Sequence, residues 1–314
     1  LNQDMENVIP PIDRALIKQE LTEDKLIRKT NAGNNLIYIV NHFNAPNVTR
    51  EIGRLREITF RDAGGGTGLP IDLDYYDTCE NPFEQLIVWN PEDQEIVGGY
   101  RYLDCGTLSM GADGSYHTPT FKLFGYSDQF VREYLPYTIE LGRSFVQPAY
   151  QPTNNIRKGM YSLDNIWDGL GAIILLNPHA RYYFGKITMY PHYNKQARDL
   201  ILFFMKKYFG DHEKLVFPHI PLEPETSPEI LEKAFPNNVY DKDYKLLIQQ
   251  VRALGETIPP LVNAYMNLSS TMKFFGTSLN DEFGLVEETG IIVTISDIYD
   301  FKIERHLTIN PSAS

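Results

Sequence analysis

Little in this chain suits a disulfide scaffold, a membrane span or a polyanion-binding surface. Two cysteines, Cys79 and Cys105, stand among 314 residues. They are too few for a cross-linked framework, and neither has a companion at metal-ligand spacing. No metal is expected, and a reducing cytoplasm is the expected compartment. No run approaches the roughly 18 apolar residues of a membrane helix. The stretch LNQDMENVIPPIDRAL lacks the layout of a signal peptide, so any membrane contact is expected to be peripheral. Positive charge is also short: 29 Lys and Arg face 41 Asp and Glu, for a net charge of −12. That balance argues against nucleic acid and anionic bilayers as bulk partners, and an acidic partner must dock on a local basic patch. What the chain has in quantity is aromatic surface. Its 20 Tyr and 17 Phe suit half-polar clefts and core lids alike.

The patterning alternates strands with helices and shows no internal repeat. After a polar lead over 1–25 with a short helix around IDRALIKQEL, LIRKT and LIYIVNHF read as strands around a turn on NAGNN. NVTREIGRLREITFRDAGG is a helix with Ile52, Leu55, Ile58 and Thr59 on one side, ended by glycines. EQLIVWNPEDQEIVGGYRYLDC is a hairpin turning on Asn-Pro-Glu-Asp. A strand carrying YTIELGRSFV leads into a helix, SLDNIWDGLGAIILL, with Ser162 or Asp164 as its expected N-cap. RYYFGKITMYP is a strand and NKQARDLILFFMKKYFG an amphipathic helix ending at Gly210. Helical patterns follow at 227–235, 241–254 and 259–275, and a strand at 290–298 closes the chain. The reading is one α/β (α+β) domain over 26–314 around a mixed sheet, with a helical elaboration at about 227–290.

A hairpin ending in Gly-Gly-Tyr-Arg, a strand reading Glu-Leu-Gly-Arg-Ser-Phe-Val-x-Pro-x-Tyr, then helix, strand and helix together resemble the GNAT acyltransferase fold. The sequence is most similar to its N-acyltransferase branch, which opens ornithine-lipid and glycine-lipid synthesis and is often labelled "hemolysin". The tail, IPPLVNAYMNLSSTMKFFGTSLNDEFG before an apolar strand, resembles the signature of that group. A more distant similarity is to acyl-homoserine-lactone synthases. Arg56 and Phe60, Asp74 and Asp77, Arg101, and Glu140 with Arg143 fall in their order and spacing. The tryptophan those synthases carry before the first aspartate is absent; the loop here is GGGTGLP.

The resemblance implies a mostly antiparallel sheet and transfer of an acyl group from a thioester to an amine. That reaction needs a neutral amine, a stabilised oxyanion and a charge or proton for the leaving thiolate. The implied cleft opens at a bulge in the strand carrying Glu140. Backbone N–H groups at Gly142, Ser144 and Phe145 are candidates for polarising the thioester carbonyl. Glu140 is the candidate base; its structural alternative is an ion pair with Arg143 or Arg101. Those arginines either orient Glu140 or grip an acceptor carboxylate. Asp74 and Asp77, with Arg56 and Phe60, are candidate acceptor-binding residues; solvated turn carboxylates and a surface arginine are the plain alternative.

The loop QPTNNIRKGMYSLDN lacks the glycine-rich cradle that holds a pyrophosphate in GNAT enzymes. Arg157, Lys158 and Gly159 offer cations and a helix start, which suits one phosphate of a phosphopantetheine arm. The expected donor is therefore an acyl carrier protein, with acyl-CoA as the alternative and no permanently bound cofactor. Lys206 and Lys207 extend the candidate basic patch, or simply form a solvated helix face. Tyr193 stands in for a missing general acid, His179 and His192 match no zinc motif, and Leu261, Met266, Met272 and Phe274 line either an acyl tunnel or a core. The expected function is N-acylation of an amino acid by a long-chain acyl group, plain or 3-hydroxylated, in membrane lipid synthesis. The rivals are a CoA-dependent acyltransferase for another small amine, a non-catalytic acyl-carrier binder, and a secreted membrane-lysing protein.

Overall fold

The protein is described here by a computed structural model covering residues 5–307. Its strands, in chain order, are β1 (Leu26–Lys29), β2 (Leu36–Val40), β3 (Glu84–Asn90), β4 (Glu95–Asp104), β5 (Phe124–Tyr126), β6 (Thr138–Val146), β7 (Tyr182–Met189), β8 (Val216–Pro218), β9 (Lys273–Asn280) and β10 (Val286–Thr294). Its principal helices are α1 (Arg14–Glu20), α2 (Pro46–Asp62), α3 (Tyr75–Thr78), α4 (Pro119–Leu123), α5 (Ile156–Gly159), α6 (Ser162–Leu176), α7 (Lys195–Phe209), α8 (Pro228–Ala234), α9 (Tyr240–Ala253) and α10 (Pro260–Met266). The architecture is the expected one, a mixed α/β fold with mostly antiparallel strands flanked by helices. The chain forms two compact units, the first from 5–105, 139–180 and 300–307, the second from 106–138 and 181–299.

In the first unit the antiparallel order is β1-β2-β3-β4-β6. Register assigns the two faces. Gln85 pairs with Arg101 and Arg101 with Gly142, so these positions share one face. The alternate residues Leu86 and Tyr100 face α6. The fit there is so close that a Cβ on Gly169 would lie 2.7 Å from Leu86 and 2.8 Å from the Tyr100 hydroxyl. At the start of α2, the backbone N–H groups of Asn47 and Val48 donate to the Glu20 carboxylate at 3.1 and 2.9 Å, satisfying donors that any helix start leaves unbonded. Of the side read from the helical spacing of α2, Ile52, Leu55 and Thr59 are buried and Ile58 is half-buried.

The second unit places β10 between β7 and β9, all antiparallel, with β5 and β8 as a separate pair. Phe124, Phe130, Phe184 and Phe275 form its aromatic centre, with ring centroids 5.4–6.4 Å apart. Met266, Met272 and Phe274 are buried here.

Three details differ from the sequence reading. The helix expected over 259–275 stops at Met266, and Lys273–Asn280 is instead a strand. The short apolar run around Phe274 fits either element until β10 supplies a pairing partner. The last strand spans Val286–Thr294 rather than 290–298, because Glu287 and Glu288 lie inside it, buried, with Glu287 bonded to Arg198 and Glu288 to Thr188. Neither Ser162 nor Asp164 caps α6: Tyr161 holds that position, and the Ser162 hydroxyl donates to the Tyr150 carbonyl at 2.9 Å.

Candidate active site

The charged residues singled out in the sequence converge in the first unit on the face of β3, β4 and β6 that carries Gln85 and Arg101. Arg56, Asp72, Asp77, Arg101 and Glu140 are all buried, and Phe60 is buried on α2 with them. Arg56 is a fully buried ligand of the cluster, not a surface charge. Its Nη1 donates to both Asp77 oxygens at 3.2 and 3.1 Å, and its Nη2 donates to Gln85 Oε1 at 2.7 Å. Gln85 Nε2 in turn donates to Asp77 Oδ1 at 2.8 Å. Arg101 grips Asp74 with both terminal nitrogens, at 2.7 and 2.8 Å, and reaches Asp77 Oδ2 at 2.9 Å. This two-pronged geometry is what a planar guanidinium does well. Its carbon lies 5.1 Å from the centre of the Phe83 ring and 5.7 Å from that of Tyr76.

Asp74 and Asp77 are not loose loop carboxylates. Asp74 is the N-cap of α3, accepting from the Tyr76 N–H at 2.9 Å, and Asp77 accepts from the Asp74 N–H at 3.1 Å, a reciprocal cap. Further back, the buried Glu57 holds the glycine-containing loop by accepting from the N–H of Thr67 at 3.1 Å and that of Gly68 at 2.9 Å. The loop thus enters the aspartate segment at a fixed angle.

The electrostatics divide the aspartates. Burial works to raise the Asp77 carboxyl, but the Arg56 and Arg101 guanidiniums and the Asp74 N–H outweigh it and hold it far below the usual carboxylate range. Asp72 goes the other way. Burial raises it despite Arg143, Arg56 and Arg101 nearby. Neither of its oxygens makes a hydrogen bond, although Arg143 Nε lies 3.2 Å from Oδ2. Burial also works against the Arg101 charge, but Asp77 and Asp74 raise its affinity for the proton overall. Sequence reasoning passed over Asp72; the only signal was its place two residues before Asp74 in a loop that also holds Asp77.

Arg143 sits at a break in β6. Gly99 pairs with Phe145 and Arg101 with Gly142, so Arg143 and Ser144 together face Tyr100 alone. This is the bulge that the family resemblance implies, and it disrupts the ladder there. Arg143 takes φ 53°, a left-handed conformation that disfavours any side chain. Its Nη2 lies 3.8 Å from Asp74. Beside it is room: a Cβ on Gly142 would meet only Arg101 atoms, at 3.9 Å. Just behind, a Cβ on Gly98 would lie 2.3 Å from the Phe145 carbonyl oxygen and one on Gly99 2.2 Å from that of Leu86. The Gly-Gly pair is therefore demanded by close packing of the strands. Glu140 lies buried on β6 opposite Leu103, on the same face as Arg101.

The donor-side candidates are arranged differently. Lys158 donates to Asp93 at 2.7 Å and lies 5.3 Å above the Tyr150 ring, so it fastens α5 to the β3–β4 turn. Gly159 is held where a Cβ would meet the Pro152 nitrogen at 2.4 Å. Arg157 is exposed. In the second unit Lys207 donates to the Phe235 carbonyl and lies 3.3 Å from Asp243, leaving Lys206 exposed without it. The Tyr193 hydroxyl donates to the Thr257 carbonyl at 2.8 Å, which engages the proton a general acid would give. His179 pairs with Asp104 at 2.8 Å and His192 stacks on Tyr190. Among the described residues no three His, Cys, Asp or Glu side chains are grouped to hold a metal ion.

Comparison with known proteins places this geometry in a family. Residues 55–158, from α2 through the aspartates and the bulge to α5, match the Acetyltransferase (GNAT) domain. A glycine N(alpha)-acyltransferase of Bacteroides thetaiotaomicron is 55% identical over 303 residues, covering 96% of this chain and 90% of its own. A second, from Phocaeicola vulgatus, is 52% identical over 96% of this chain and 93% of its own. Among solved structures, a CoA-dependent acyl-homoserine lactone synthase, MesI, is 12% identical over 88% of this chain and 97% of its own, with a TM-score of 0.34. The chain is an N-acyltransferase of the GNAT class and belongs to the family of these glycine N(alpha)-acyltransferases.

Proposed function

We propose that this protein transfers a long-chain acyl group, plain or 3-hydroxylated, from an acyl carrier protein to the amine of glycine, as a step in making membrane lipids. The observation that carries the reading is the bulge at Arg143. It sets a left-handed arginine, open space at Gly142 and interrupted ladder positions against a buried cluster of arginines and aspartates. Glycine is the acceptor that the two relatives' names give.

In this reading the acceptor carboxylate pairs with Arg143, and its ammonium lies toward Asp74, which is partly exposed. Arg56 and Gln85 hold Asp77, Asp77 holds Arg101, and Arg101 holds Asp74, so these residues position the acceptor rather than react. Glu140 accepts one ammonium proton. The freed amine nitrogen bonds to the thioester carbonyl carbon, and the oxyanion is met by N–H groups around Gly142, Ser144 and Phe145. Collapse breaks the C–S bond. The sulfur leaves as the phosphopantetheine thiol once it takes up the nitrogen's second proton, and the amide remains.

A carrier donor is supported by the loop after β6, where α5 presents exposed Ile156 and Met160 beside exposed Arg157, with Tyr161 following. Apolar side chains with a cation suit an acidic carrier domain better than a pyrophosphate. Such donors belong to the cytoplasm. No helix among the described residues is long and apolar enough to cross a membrane.

The test offers purified protein a panel of amino acids with matched acyl-carrier-protein and acyl-CoA thioesters, products being read by mass spectrometry. N-acylglycine from the carrier thioester is expected. Glu140→Gln should lower kcat by about 10²–10⁴-fold with little change in the KM for glycine. An undiminished rate in that variant overturns the base assignment; faster turnover with acyl-CoA overturns the donor.

A further inference from the structure

The second unit contains a cavity to which the reaction described above assigns no step, walled in part by Phe274, which the sequence offered for an acyl tunnel or a core. It has a volume of about 740 Å³, within the roughly 300–1,000 Å³ usual for small-molecule sites. Leu202 and Phe203 of α7, Leu231 of α8, Phe217 and Leu222 from the 211–224 segment, and Phe274 of β9 supply its apolar walls. One wall owes its shape to a second bulge. Thr277 pairs with Thr289 and Phe274 with Ile291, so Phe275 and Gly276 together face Gly290. Gly276 has φ 93° and sits against Pro218, where even a Cβ would come within 3.4 Å.

The polar groups are unequal. Lys206 and Lys214 line the cavity from its solvent side, both exposed, and neither has an ion-pair partner among the described residues. The neighbouring cations are engaged: Lys207 with Asp243, Lys273 with Glu213 and Lys195 with Glu287. Of the lining carboxylates, Asp199 is bonded to Arg198 and to the N–H groups of Glu225 and Thr226. Asp211 accepts from the N–H groups of Leu215 and Val216 through one oxygen, while the other is buried without a partner. Glu223 is exposed at the edge. In a chain of net charge −12, two uncommitted lysines beside an aromatic-lined pocket are a local exception.

We propose that this cavity binds a single-chain amphiphile with an anionic head group, the chain lying among Phe203, Phe217, Leu222 and Phe274 and the head between Lys206 and Lys214. A free fatty acid and an N-acyl amino acid both have that chemistry. No residue of the acceptor cluster lines this cavity, so the assignment stands whether or not glycine is the acceptor.

The experiment titrates the full chain with cis-parinaric acid, a fluorescent fatty acid, and competes it with palmitate, N-palmitoylglycine or hexadecyltrimethylammonium. Saturable binding displaced by the anionic competitors, and by the cationic one at least tenfold less effectively, is expected. Displacement by palmitate alone identifies a free fatty acid as the ligand, and by N-palmitoylglycine alone an N-acyl amino acid; either supports the site. Leu222→Trp should abolish the signal by filling the cavity, whereas a chain bound in the first unit would not respond to it. Lys206→Glu with Lys214→Glu changes exposed positions and should weaken parinaric acid about tenfold, so the proposal remains testable if the tryptophan variant does not fold. No saturable binding, wild-type affinity in both variants, or equal displacement by the cationic amphiphile would overturn it.

Discussion

Replacing Asp77 by Asn removes one negative charge from between two guanidiniums and leaves the side-chain volume nearly unchanged. Arg56 has no exposed surface and Arg101 is only 2% exposed, so neither can turn to water for compensation. Arg56 would keep Gln85 Oε1, and Arg101 would keep Asp74, but their shared counter-charge would be gone. Removing one partner of a buried pair destabilises by about 3–5 kcal/mol, roughly two to four orders of magnitude in the folding equilibrium. Solvent screening calls for no discount because the Arg56 and Asp77 side chains are both 0% exposed. Both tryptophans, Trp89 and Trp167, lie in the first unit, so the urea transition followed by tryptophan fluorescence reports on the unit that holds the cluster. Asp74→Asn is the control. Asp74 is 32% exposed, and its loss should cost about 1 kcal/mol or less while raising the KM for the acceptor. Equal midpoints for wild type and Asp77→Asn would refute the view that this ion network is held together by its buried charge.

Other outcomes can be checked on the same preparations. At Arg143 the left-handed backbone favours glycine, so Arg143→Gly should be about 1 kcal/mol more stable than Arg143→Ala by urea denaturation, while both lose affinity for the acceptor carboxylate. Because burial raises the Asp72 carboxyl in the folded state, its contribution to stability is full below about pH 4, the unfolded value. It is lost as pH rises through the folded value. Asp72→Asn should remove that part of the pH dependence and, by altering the seat of Arg143, raise the KM for glycine more than it lowers kcat. Asp243 behaves oppositely. Against the upward push of burial, hydrogen bonds from Tyr208, Asn237 and Lys207 hold it at about 2. Its stabilisation is present above about pH 4 and lost as pH falls toward 2, and acid titration of Asp243→Asn should be flatter over that interval.

Much of the fold was legible because its signals are local. Helix periodicity over 47–62, the Asn-Pro-Glu-Asp turn between β3 and β4, and the glycine ending α7 need no distant partner to be read. Where partners decide, reading failed: the helical pattern over 259–275 runs into Lys273–Asn280, which β10 pairs as a strand, and the apolar pattern starts the last strand at 290, short of Glu287, which Arg198 reaches at 2.7 Å. The site divided in the same way. The resemblance to acyl-homoserine-lactone synthases named Arg56, Phe60, Asp74, Asp77, Arg101, Glu140 and Arg143 as one set, through their order and spacing in a strand–helix frame. Sequence did not reveal that Arg56 is buried, that Asp74 and Asp77 cap a helix while binding arginines, or that the Asp72 carboxylate lies among them without a hydrogen bond. Nor did it show that Lys158 and Lys207 are engaged in pairs within the chain, with Asp93 and Asp243. Sequence by itself determined which residues and which chemistry this protein has. Only the tertiary structure decided which charges are buried together and which remain available, because burial and pairing depend on distances across the chain that no local pattern encodes.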